Sequence, residues 1–531
     1  MNGLLDLIKS IQRRPTIYPS STPLSVFSPP KQNKSKKQRT TRIPESQKTT
    51  RTQNTPRQTS QQTPRQTSQR TTRSQTSKTQ AIDTFRKRVA TRKIQKFMKK
   101  YESKRRALFL NSICSDAGVC IAFGRENDKI KKHFNGFVDF EYLTAVKKIG
   151  GESENGFVKE FTYEHEGYKS NAILKSSMNP ESDNLFFEYL VGQYINKLNN
   201  RYPCFLETYG LFQYKDETAW MLSATIDPRY RWNPQESLIL HDENITNKSF
   251  ETSCSSSQYL SILIQNIKDA KTIQSMLREY SFTKRDLLYV LYQVYMPLAN
   301  EKNTFTHYDL HLENVLLYEP VKGHYIEYHY HVGGEEITFK SSYVAKIIDY
   351  GRCFFEDKNN SNKDTNTSKH IYEKICTINN CYPRDENGKI IKDKHSCGKD
   401  VGYANIAPEN PPGSFFYISG TKRNSSHDLR LLYLLKRRTG INDMYLKELL
   451  QKIQYGINVD QENKIYGTIE NEKSGLPNKI NNVVDARNAL GQLIMSEPLQ
   501  HTNEESYLSK EKLGDLHIYD DGRPVEFVEY I

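Results

Sequence analysis

The chain has 531 residues, enough for two to four domains, and its hydrophobic content of 36% with a mean hydropathy of −0.76 predicts that part of it does not fold. The formal net charge of +14 is uneven, because residues 1–106 carry 27 basic and 4 acidic side chains, whereas residues 107–531 have a net charge of −9. This distribution excludes a body that is basic throughout. Any contact with nucleic acid or another polyanion is therefore expected from the first segment.

The sequence carries no signal for a membrane or for secretion. It contains no run of about 18 apolar residues, so no transmembrane segment is expected. The start, MNGLLDLIKSIQRRP, is too short and too charged for the core of a signal peptide. Eight cysteines in a chain of this length do not form a disulfide scaffold. We therefore expect an intracellular, cytoplasmic protein with reduced thiols.

Residues 1–80 predict a disordered basic tail that is rich in Ser, Thr and Gln. Between Ser28 and Gln80 the only aliphatic residue is Ile43, and there is no aromatic residue. Such a segment has no apolar surface to offset its ordering entropy. The preferred interpretation is a solvated tether. The alternative is a tail that is phosphorylated or that binds a polyanion such as nucleic acid.

Residues 81–106 predict a basic amphipathic helix, because apolar residues recur every three to five positions with Lys and Arg between them. The stretch from Ile94 to Lys104 also fits a relaxed IQ pattern, which would bind a calmodulin-like partner. Packing of this helix against the folded body is the preferred alternative.

From Ala107 the chain has the pattern of a folded protein, with strands first and helices later. This order indicates an α+β fold with two lobes. The predicted elements, in chain order, are a hairpin turning at Glu166-Gly167, a helix at Phe186–Leu198, a hairpin turning at Lys215-Asp216, helices within 258–300, a hairpin at Gly333-Gly334, and then mostly helices, notably Asp428–Arg437, Tyr445–Gln454 and Val483–Met495.

A turn of small residues in the strand-rich part is suited to phosphate binding. Gly151, Ser153 and Gly156 lie between two predicted strands, where backbone N–H groups can approach phosphate oxygens closely, and Val158 comes just after them. A Gly-rich hairpin turn is common without this function, so the turn gains meaning only in combination with the motifs later in the chain.

Lys175 ends the apolar run AILK and would place an ammonium group inside a cleft. Such a lysine suits contact with the α- and β-phosphates of a nucleotide and requires a carboxylate partner. Glu188, on the next predicted helix, is the candidate partner, and Glu181 is the alternative. Standing alone, Lys175 would be an ordinary lysine at the end of a strand.

Two later segments carry oxygen-bearing side chains in a specific order. Asp309 and Asn314 lie five residues apart on one loop that runs into an apolar strand, so that the Asp can accept a hydroxyl proton and the Asn can hold Mg²⁺. Asp349 ends a second apolar strand, IID, and is followed by Tyr350 and Gly351. An aspartate in this position suits a metal-binding carboxylate at a turn.

Taken together, the glycine turn, AILK, the helix Glu, HxDLHxxN and DYG resemble the eukaryotic-type protein kinase superfamily over about residues 140–440. HxDLHxxNVLL followed by IIDY is similar to the divergent haspin-type kinases. LFFEYLVGQYINKL and SSHDLRLL are similar to serine/threonine kinase-like proteins of giant DNA viruses, an origin that would place the protein in a host cell or virion. The resemblance implies a kinase N-lobe at 107–225 with an upstream extension, and a C-lobe at 226–531 with inserts at 318–345 and 352–412.

The resemblance implies an ATP-dependent enzyme that transfers the γ-phosphate of ATP to Ser or Thr hydroxyls of a protein, with Mg²⁺ as cofactor. The roles it implies are ATP-phosphate cover by Gly151, Ser153, Gly156 and Val158, phosphate contact by Lys175 paired with Glu188, catalytic base for Asp309, Mg²⁺ ligation by Asn314 and Asp349, and support of the catalytic loop by Asp428.

Four positions depart from the family pattern. Ser153 replaces the middle glycine of the loop, and Tyr350 makes the mild change from DFG to DYG. Tyr308 replaces the Arg that usually receives an activation-loop phosphate, so we predict no requirement for that phosphorylation. His311 replaces the usual Lys and would hydrogen-bond a γ-phosphate.

Two other function classes remain open. A catalytically inactive pseudokinase scaffold is supported by Ser153, Tyr308 and His311. A small-molecule hydroxyl phosphotransferase would also use an HxDxxxxN loop and a later Asp, although the glycine turn, AILK and SSHDLRLL favour a protein kinase.

Residues 352–412 contain half of the cysteines. Cys376, Cys381, His395 and Cys397 could form a four-ligand structural Zn²⁺ site that staples a long loop. Their spacing is not that of a standard zinc finger, so free cysteines in a polar insert are the preferred interpretation.

Overall fold

A computed structural model describes twelve stretches of the chain, and every structural statement below refers to them. They are residues 131–153, 156–165, 168–177, 184–225, 232–241, 259–267, 270–374, 405–407, 414–416, 422–455, 465–466 and 473–529. Outside them lie the predicted tail, the predicted basic helix with its IQ pattern, the alternative partner Glu181 and the zinc candidates Cys376, Cys381, His395 and Cys397. Within these stretches, every helix falls short of the length and apolar character needed to cross a membrane.

The fold combines a curved antiparallel sheet with several helices. The sheet has six strands in the order β1-β2-β3-β6-β4-β5, and all of its neighbouring strands are antiparallel. Its strands are β1 (Leu143–Ser153), β2 (Gly156–His165), β3 (Tyr168–Ser177), β4 (Thr208–Tyr214), β5 (Leu238–Leu240) and β6 (Leu260–Gln265). Because β5 and β6 lie after residue 225, the strand-rich part extends beyond the predicted boundary there.

Several predicted elements are confirmed in this part. Strands β2 and β3 form the hairpin expected around Glu166-Gly167, with Val158 opposite Lys175. Helix α1 (Asn184–Asn199) covers the helix expected at Phe186–Leu198.

The hairpin predicted at Lys215-Asp216 is wrong. Strand β4 ends at Tyr214, and helix α2 (Glu217–Ala224) comes next. The side chain of Asp216 accepts a hydrogen bond from the backbone N–H of Ala219 over 2.8 Å, so this residue caps the helix instead of turning a hairpin.

The helix predicted at the start of 258–300 is also wrong, because β6 is a strand there. Strand β6 lies between β3 and β4, and five of its six residues are buried. A strand covered on both faces shows no polar alternation, so its apolar run is easily mistaken for part of a helix. The helix expected at the end of that range is present as α5 (Leu287–Asn300), after a π-helical turn at Phe282–Asp286.

The rest of the described chain is a mixture of helices and short sheets. The remaining helices are α3 (Pro234–Ser237), α4 (Ile273–Met276), α6 (Ser368–Lys374), α7 (Arg430–Lys436), α8 (Met444–Gln451), α9 (Val483–Ile494) and α10 (Glu497–Tyr507). The remaining strands are β7 (Lys271–Thr272), β8 (Phe305–Thr306), β9 (Val315–Tyr318), β10 (His324–Val332), β11 (Glu335–Ser341), β12 (Val344–Ile347), β13 (Phe354–Phe355), β14 (Asn405–Ala407), β15 (Ser414–Phe416), β16 (Ile465–Tyr466), β17 (Glu511–Tyr519) and β18 (Glu526–Glu529).

The helices predicted around 428–437, 445–454 and 483–495 are confirmed as α7, α8 and α9. The expectation that helices dominate to the end of the chain is wrong for Glu511–Tyr519 and Glu526–Glu529, which are strands. Strand β17 pairs in parallel with β10, a contact between segments about 190 residues apart that local patterns do not reveal.

A small antiparallel sheet, β12-β9-β7, sets the geometry of the site. Strand β9 begins at Val315 and β12 ends at Ile347, and these two residues face each other across the ladder. The residues just before β9 and just after β12 therefore meet at the same edge. The hairpin β10–β11, predicted from Gly333-Gly334, is inserted between these two strands.

Helix α1 packs closely against β4 at Gly192. A Cβ atom on Gly192 would lie 2.1 Å from Oγ1 of Thr208, a distance at which something must move. Asn196, one turn later, exchanges two hydrogen bonds with the backbone of Thr208, at 2.7 and 2.9 Å, so the helix cannot easily shift. This contact holds α1 against the sheet.

Gly192→Ala is expected to lower the free energy of unfolding by about 1–3 kcal/mol, because the overpacking outweighs the gain in helix propensity. Urea denaturation measures this. Gly440→Ala is the control, since a Cβ there meets only the carbonyl oxygen of Leu277 at 3.7 Å, an ordinary contact. An unchanged or more stable Gly192→Ala protein would contradict the packing described.

Candidate active site

Lys175 is the centre of a group of three charged side chains from distant parts of the chain. Its Nζ donates to Oε2 of Glu188 over 2.8 Å and to Oδ1 of Asp349 over 3.1 Å. Strand β3 supplies the lysine, α1 supplies the glutamate, and the segment after β12 supplies the aspartate. The side chain of Glu188 is 5% exposed, whereas that of Asp349 is 44% exposed, so the group is open to solvent on the side of Asp349.

The charges of Lys175 and Asp349 stabilise each other. Burial alone would lower the pKa of Lys175, but the carboxylates of Asp349 and Glu188 raise it above its usual value. The lysine charge in turn lowers the pKa of Asp349. Lys175 and Asp349 are therefore both charged near pH 7.

The glycine turn is described through its backbone. Strand β1 runs through Gly151 to Ser153, which pairs with Gly156 at the start of β2. A Cβ on Gly156 would lie 2.0 Å from the carbonyl oxygen of Ser176, so the sheet itself requires a glycine at this position. Val158 faces Lys175 across the β2–β3 ladder, and the two side chains therefore share one face of the sheet.

Asp309 lies on the loop between β8 and β9 and is 6% exposed. Its Oδ1 accepts a hydrogen bond from Nη1 of Arg430 over 2.6 Å, and Nε of Arg352 lies 3.6 Å from its Oδ2. Burial alone would raise the pKa of Asp309, but the guanidinium groups of Arg352 and Arg430 hold it well below its usual range. Asp309 is therefore an ionised acceptor near neutral pH.

Asn314 and Asp349 lie at the same edge of the β12-β9-β7 sheet. Asn314 directly precedes β9, and Ile348 directly precedes Asp349. The backbone N–H of Ile348 donates to the carbonyl oxygen of Asn314 over 3.1 Å. Nδ2 of Asn314 donates to the carbonyl oxygen of Asp309 over 2.9 Å. The amide thus holds the loop closed around Asp309.

His311 lies next to Asp309, with Nε2 3.9 Å from Oδ1. Burial lowers the pKa of His311, which makes the ring neutral near pH 7. Nδ1 of His311 accepts the backbone N–H of Glu313 over 3.2 Å.

Asp428 holds the backbone of the loop that carries Asp309. It lies in a 3₁₀ turn, His427–Leu429, before α7, and it is 2% exposed. Its two carboxylate oxygens accept the backbone N–H groups of His307 and Tyr308, over 2.8 and 2.9 Å. Burial raises the pKa of Asp428 to about 7.

Tyr308 and Asp349 have φ angles of 62° and 68°, in the left-handed region that costs energy for residues with a side chain. The hydrogen bonds to Asp428 hold the backbone at Tyr308. The phenol of Tyr308 is buried and donates to the carbonyl oxygen of Lys422 over 2.6 Å. The side chain of Tyr308 is therefore fixed inside the fold.

Tyr350 is buried and joins the segment before β4 to the end of β12. Its hydroxyl accepts the backbone N–H of Leu206 over 2.9 Å and donates to the carbonyl oxygen of Ile347 over 2.8 Å. The hydroxyl group that distinguishes DYG from DFG thus finds partners in this fold.

No role was predicted from the sequence for Arg352, Arg430 or His307, although His307 lies within HxDLHxxN and Arg430 within SSHDLRLL. Arg352 comes directly after Gly351, and Arg430 lies two residues after Asp428. Both positions adjoin residues of the motifs, which is the signal that could have identified them. His307 joins the loop that carries Asp309 to the segment after β12, since its Nε2 contacts the carbonyl oxygen of Ile348 at 3.0 Å.

Comparison with known proteins gives a distant similarity at the sequence level. No protein-family model matches the chain. A curated protein named probable kinase 098L, from Invertebrate iridescent virus 3, is 23% identical over 263 residues. The alignment covers 49% of this chain and 40% of the relative, so the chain spans about two-fifths of the length of the protein it matches. The chain is thus similar, over about half of its length, to a viral protein described as a probable kinase.

His307 should make the free energy of unfolding depend on pH. Burial lowers its pKa to about 4 from an ordinary value near 6.5, so between these values the unfolded chain binds a proton that the native protein does not. Its contribution to stability is full above pH 6.5 and falls by roughly 1–3 kcal/mol as the pH drops to 4.

His307→Gln is expected to flatten this part of the stability profile relative to the unsubstituted protein. Urea denaturation at a series of pH values between 7 and 4 measures the difference. Equal slopes in both proteins would contradict a neutral, buried His307.

Proposed function

We propose that the chain is an ATP-dependent, Mg²⁺-requiring protein kinase with a two-lobed, protein-kinase-like fold, which transfers the γ-phosphate of ATP to Ser or Thr hydroxyls of a protein. The six-stranded sheet with α1 would form the first lobe, and the loop at Asp309, α5 and α7 would belong to the second. The similarity to a viral probable kinase supports the transferase class.

The observation that carries the proposal is the position of Lys175 between Glu188 and Asp349. An ammonium group held by a helix glutamate in this way suits contact with nucleotide phosphates, and Asp349 on the exposed side suits a metal bound to the same phosphates. An ordinary structural ion pair would not require a third, half-exposed carboxylate from a segment 174 residues away.

The side chains at the strand edge suit Mg²⁺. Asn314 and Asp349 provide oxygen ligands, which this small, hard ion prefers. When bound, Mg²⁺ neutralises charge on phosphate oxygens. Within the chain, Asn314 and Asp349 would hold the ion, and Lys175 would hold the phosphates from the other side.

Asp309 would orient the substrate hydroxyl and accept its proton. Its low pKa keeps it ionised, and Arg430 and Asn314 restrict its position. Asp428 would hold the backbone that carries it. His311, neutral and adjacent, would donate a hydrogen bond toward the γ-phosphate.

A second candidate function has a specific observation in its favour. Arg352 and Arg430 both approach the carboxylate of Asp309, which makes it a weaker base and favours a catalytically inactive scaffold that still binds nucleotide. Turnover distinguishes the two, because both would bind ATP but only the kinase would transfer phosphate.

Asp309→Asn is expected to reduce Mg²⁺-dependent phosphate transfer from ATP to protein substrates by about 10²–10⁴-fold, because it removes the proton acceptor. Transfer of labelled γ-phosphate to generic acidic and basic proteins, and to the chain itself, measures this. Asp521→Asn, a half-exposed aspartate paired with Arg523, is the control and should keep full activity. Absence of transfer by folded, unsubstituted protein would favour the scaffold.

Activity is expected without phosphorylation of the activation segment. Tyr308 replaces the arginine that would bind such a phosphate, and Arg430 is already paired with Asp309. Protein treated with a phosphatase should keep its rate of transfer within about twofold. A rate that falls to background and returns after treatment with an upstream kinase would contradict this expectation.

A further inference from the structure

The inserted hairpin β10–β11 and the C-terminal strands form a separate four-stranded sheet in the order β11-β10-β17-β18. One face of β10 is apolar, since Tyr328 and Tyr330 are buried and stack with Phe339. The proposed kinase chemistry uses no side chain of the opposite face.

That opposite face carries an unusual group of imidazoles and carboxylates. His329 lies across from His517 on β17, and His331 lies across from Glu336 on β11. Alternate residues of a strand point to the same face, so His329 and His331 face the same way. The pairing register of β10 with β11 and with β17 places these residues side by side, so the backbone of the sheet brings the group together.

The distances between ligand atoms are close to those of a metal site. Nδ1 of His329 lies 2.7 Å from Oε1 of Glu336, and the ligand atoms of His329, Glu336 and His517 all lie within 4.8 Å of one another. Two ligand atoms of a tetrahedral zinc ion are about 3.3 Å apart, given bonds of about 2.0–2.1 Å. Because 4.8 Å exceeds this spacing, the half-exposed Glu336 side chain and the imidazole rings would shift to close the group on one ion.

The surroundings orient these ligands as a metal site requires. Nε2 of His329 contacts Oδ1 of Asp515 over 2.9 Å, and Lys512 holds that carboxylate over 2.7 Å. A carboxylate on the far nitrogen fixes the ring and increases the basicity of the nitrogen that faces the ion. Nε2 of His331 contacts Nδ1 of His517 over 3.1 Å and fixes the second ring.

A structural explanation without metal accounts for only part of this arrangement. Without metal, His329 would bridge Glu336 and Asp515 through its two ring nitrogens. His517 takes no part in that bridge, although its ring stacks on His329 with centroids 4.5 Å apart.

We propose that His329, Glu336 and His517 bind one Zn²⁺ ion on the outer face of this sheet. Imidazole and carboxylate ligands suit zinc, and His331, Asp515 and Lys512 act as positioning residues. The ion would tie the C-terminal strand β17 to the hairpin β10–β11, which lies almost two hundred residues earlier. This site includes none of the cysteines that were considered, as the less favoured alternative, for a zinc site in residues 352–412.

The test is a Zn²⁺ titration of the full chain after removal of metal, by calorimetry and by native mass spectrometry. The unsubstituted protein is expected to bind one equivalent that His329→Gln and His517→Gln each lose. His324→Gln is the matched control, because His324 lies on the same strand but pairs with Glu511, and it should keep that equivalent. Zinc held by cysteines would remain in all four proteins and is therefore counted separately.

A second readout keeps the test independent of folding defects. Free Zn²⁺ at a hundredfold excess over Kd should shift the folding equilibrium of the unsubstituted protein about 100-fold and raise its Tm. In both site variants the rise in Tm with zinc, each measured against the variant's own metal-free form, should be smaller than in the unsubstituted protein and in His324→Gln. Equal zinc stoichiometry in His329→Gln and the unsubstituted protein, no binding below millimolar Zn²⁺, or an equal rise in Tm in both site variants and the unsubstituted protein would overturn the proposal.

Discussion

The contact of Lys175 with both Glu188 and Asp349 is the interaction on which the candidate site depends. It joins a central strand of the large sheet, the helix packed on that sheet and the segment after β12. The ammonium of Lys175 and the carboxylate of Glu188 would each be costly to bury alone, and the attraction between them offsets part of that cost. Gly192 supports this contact although it lies outside the site. Its lack of a side chain lets α1 pack closely against β4, and this packing holds Glu188 in place.

Asp428 stabilises the other part of the site, the loop that carries Asp309. A buried carboxylate accepting two backbone N–H groups fixes the strained loop at Tyr308 and hence the position of Asp309. Arg430, two residues later, contacts Asp309 directly. One short segment before and within α7 therefore controls both the backbone and the charge of Asp309.

Local patterns were sufficient where the relevant contacts are local. The β2–β3 hairpin, helix α1 and the segment from His307 to Asn314 could be found because turn residues, helical periodicity and a fixed spacing lie within a few residues of one another. The geometry agrees with the predicted grouping of Lys175 with Glu188. The roles assigned to these residues stay predictions.

Sequence patterns gave wrong or incomplete predictions where contacts between residues far apart in the chain determine the structure. Strand β6 lost its polar alternation because both faces are covered, Asp216 capped a helix where a turn was expected, and β17 became a strand by pairing with the distant β10. Arg352 and Arg430 meet at Asp309 only in the folded chain. The group at His329, Glu336 and His517 likewise depends on strand register, which no linear spacing reveals.

The central claim is that Lys175 and Glu188 act as a unit in holding a nucleotide. Calorimetry of the full chain with Mg²⁺ and a non-hydrolysable ATP analogue tests it most directly, in Lys175→Met, Glu188→Gln and the double variant. Lys169→Met, an exposed lysine on the same strand, is the control. Each single variant is expected to weaken binding about tenfold or more, and the double variant is expected to lose no more than either alone. Unchanged binding, or losses that simply add, would contradict the claim.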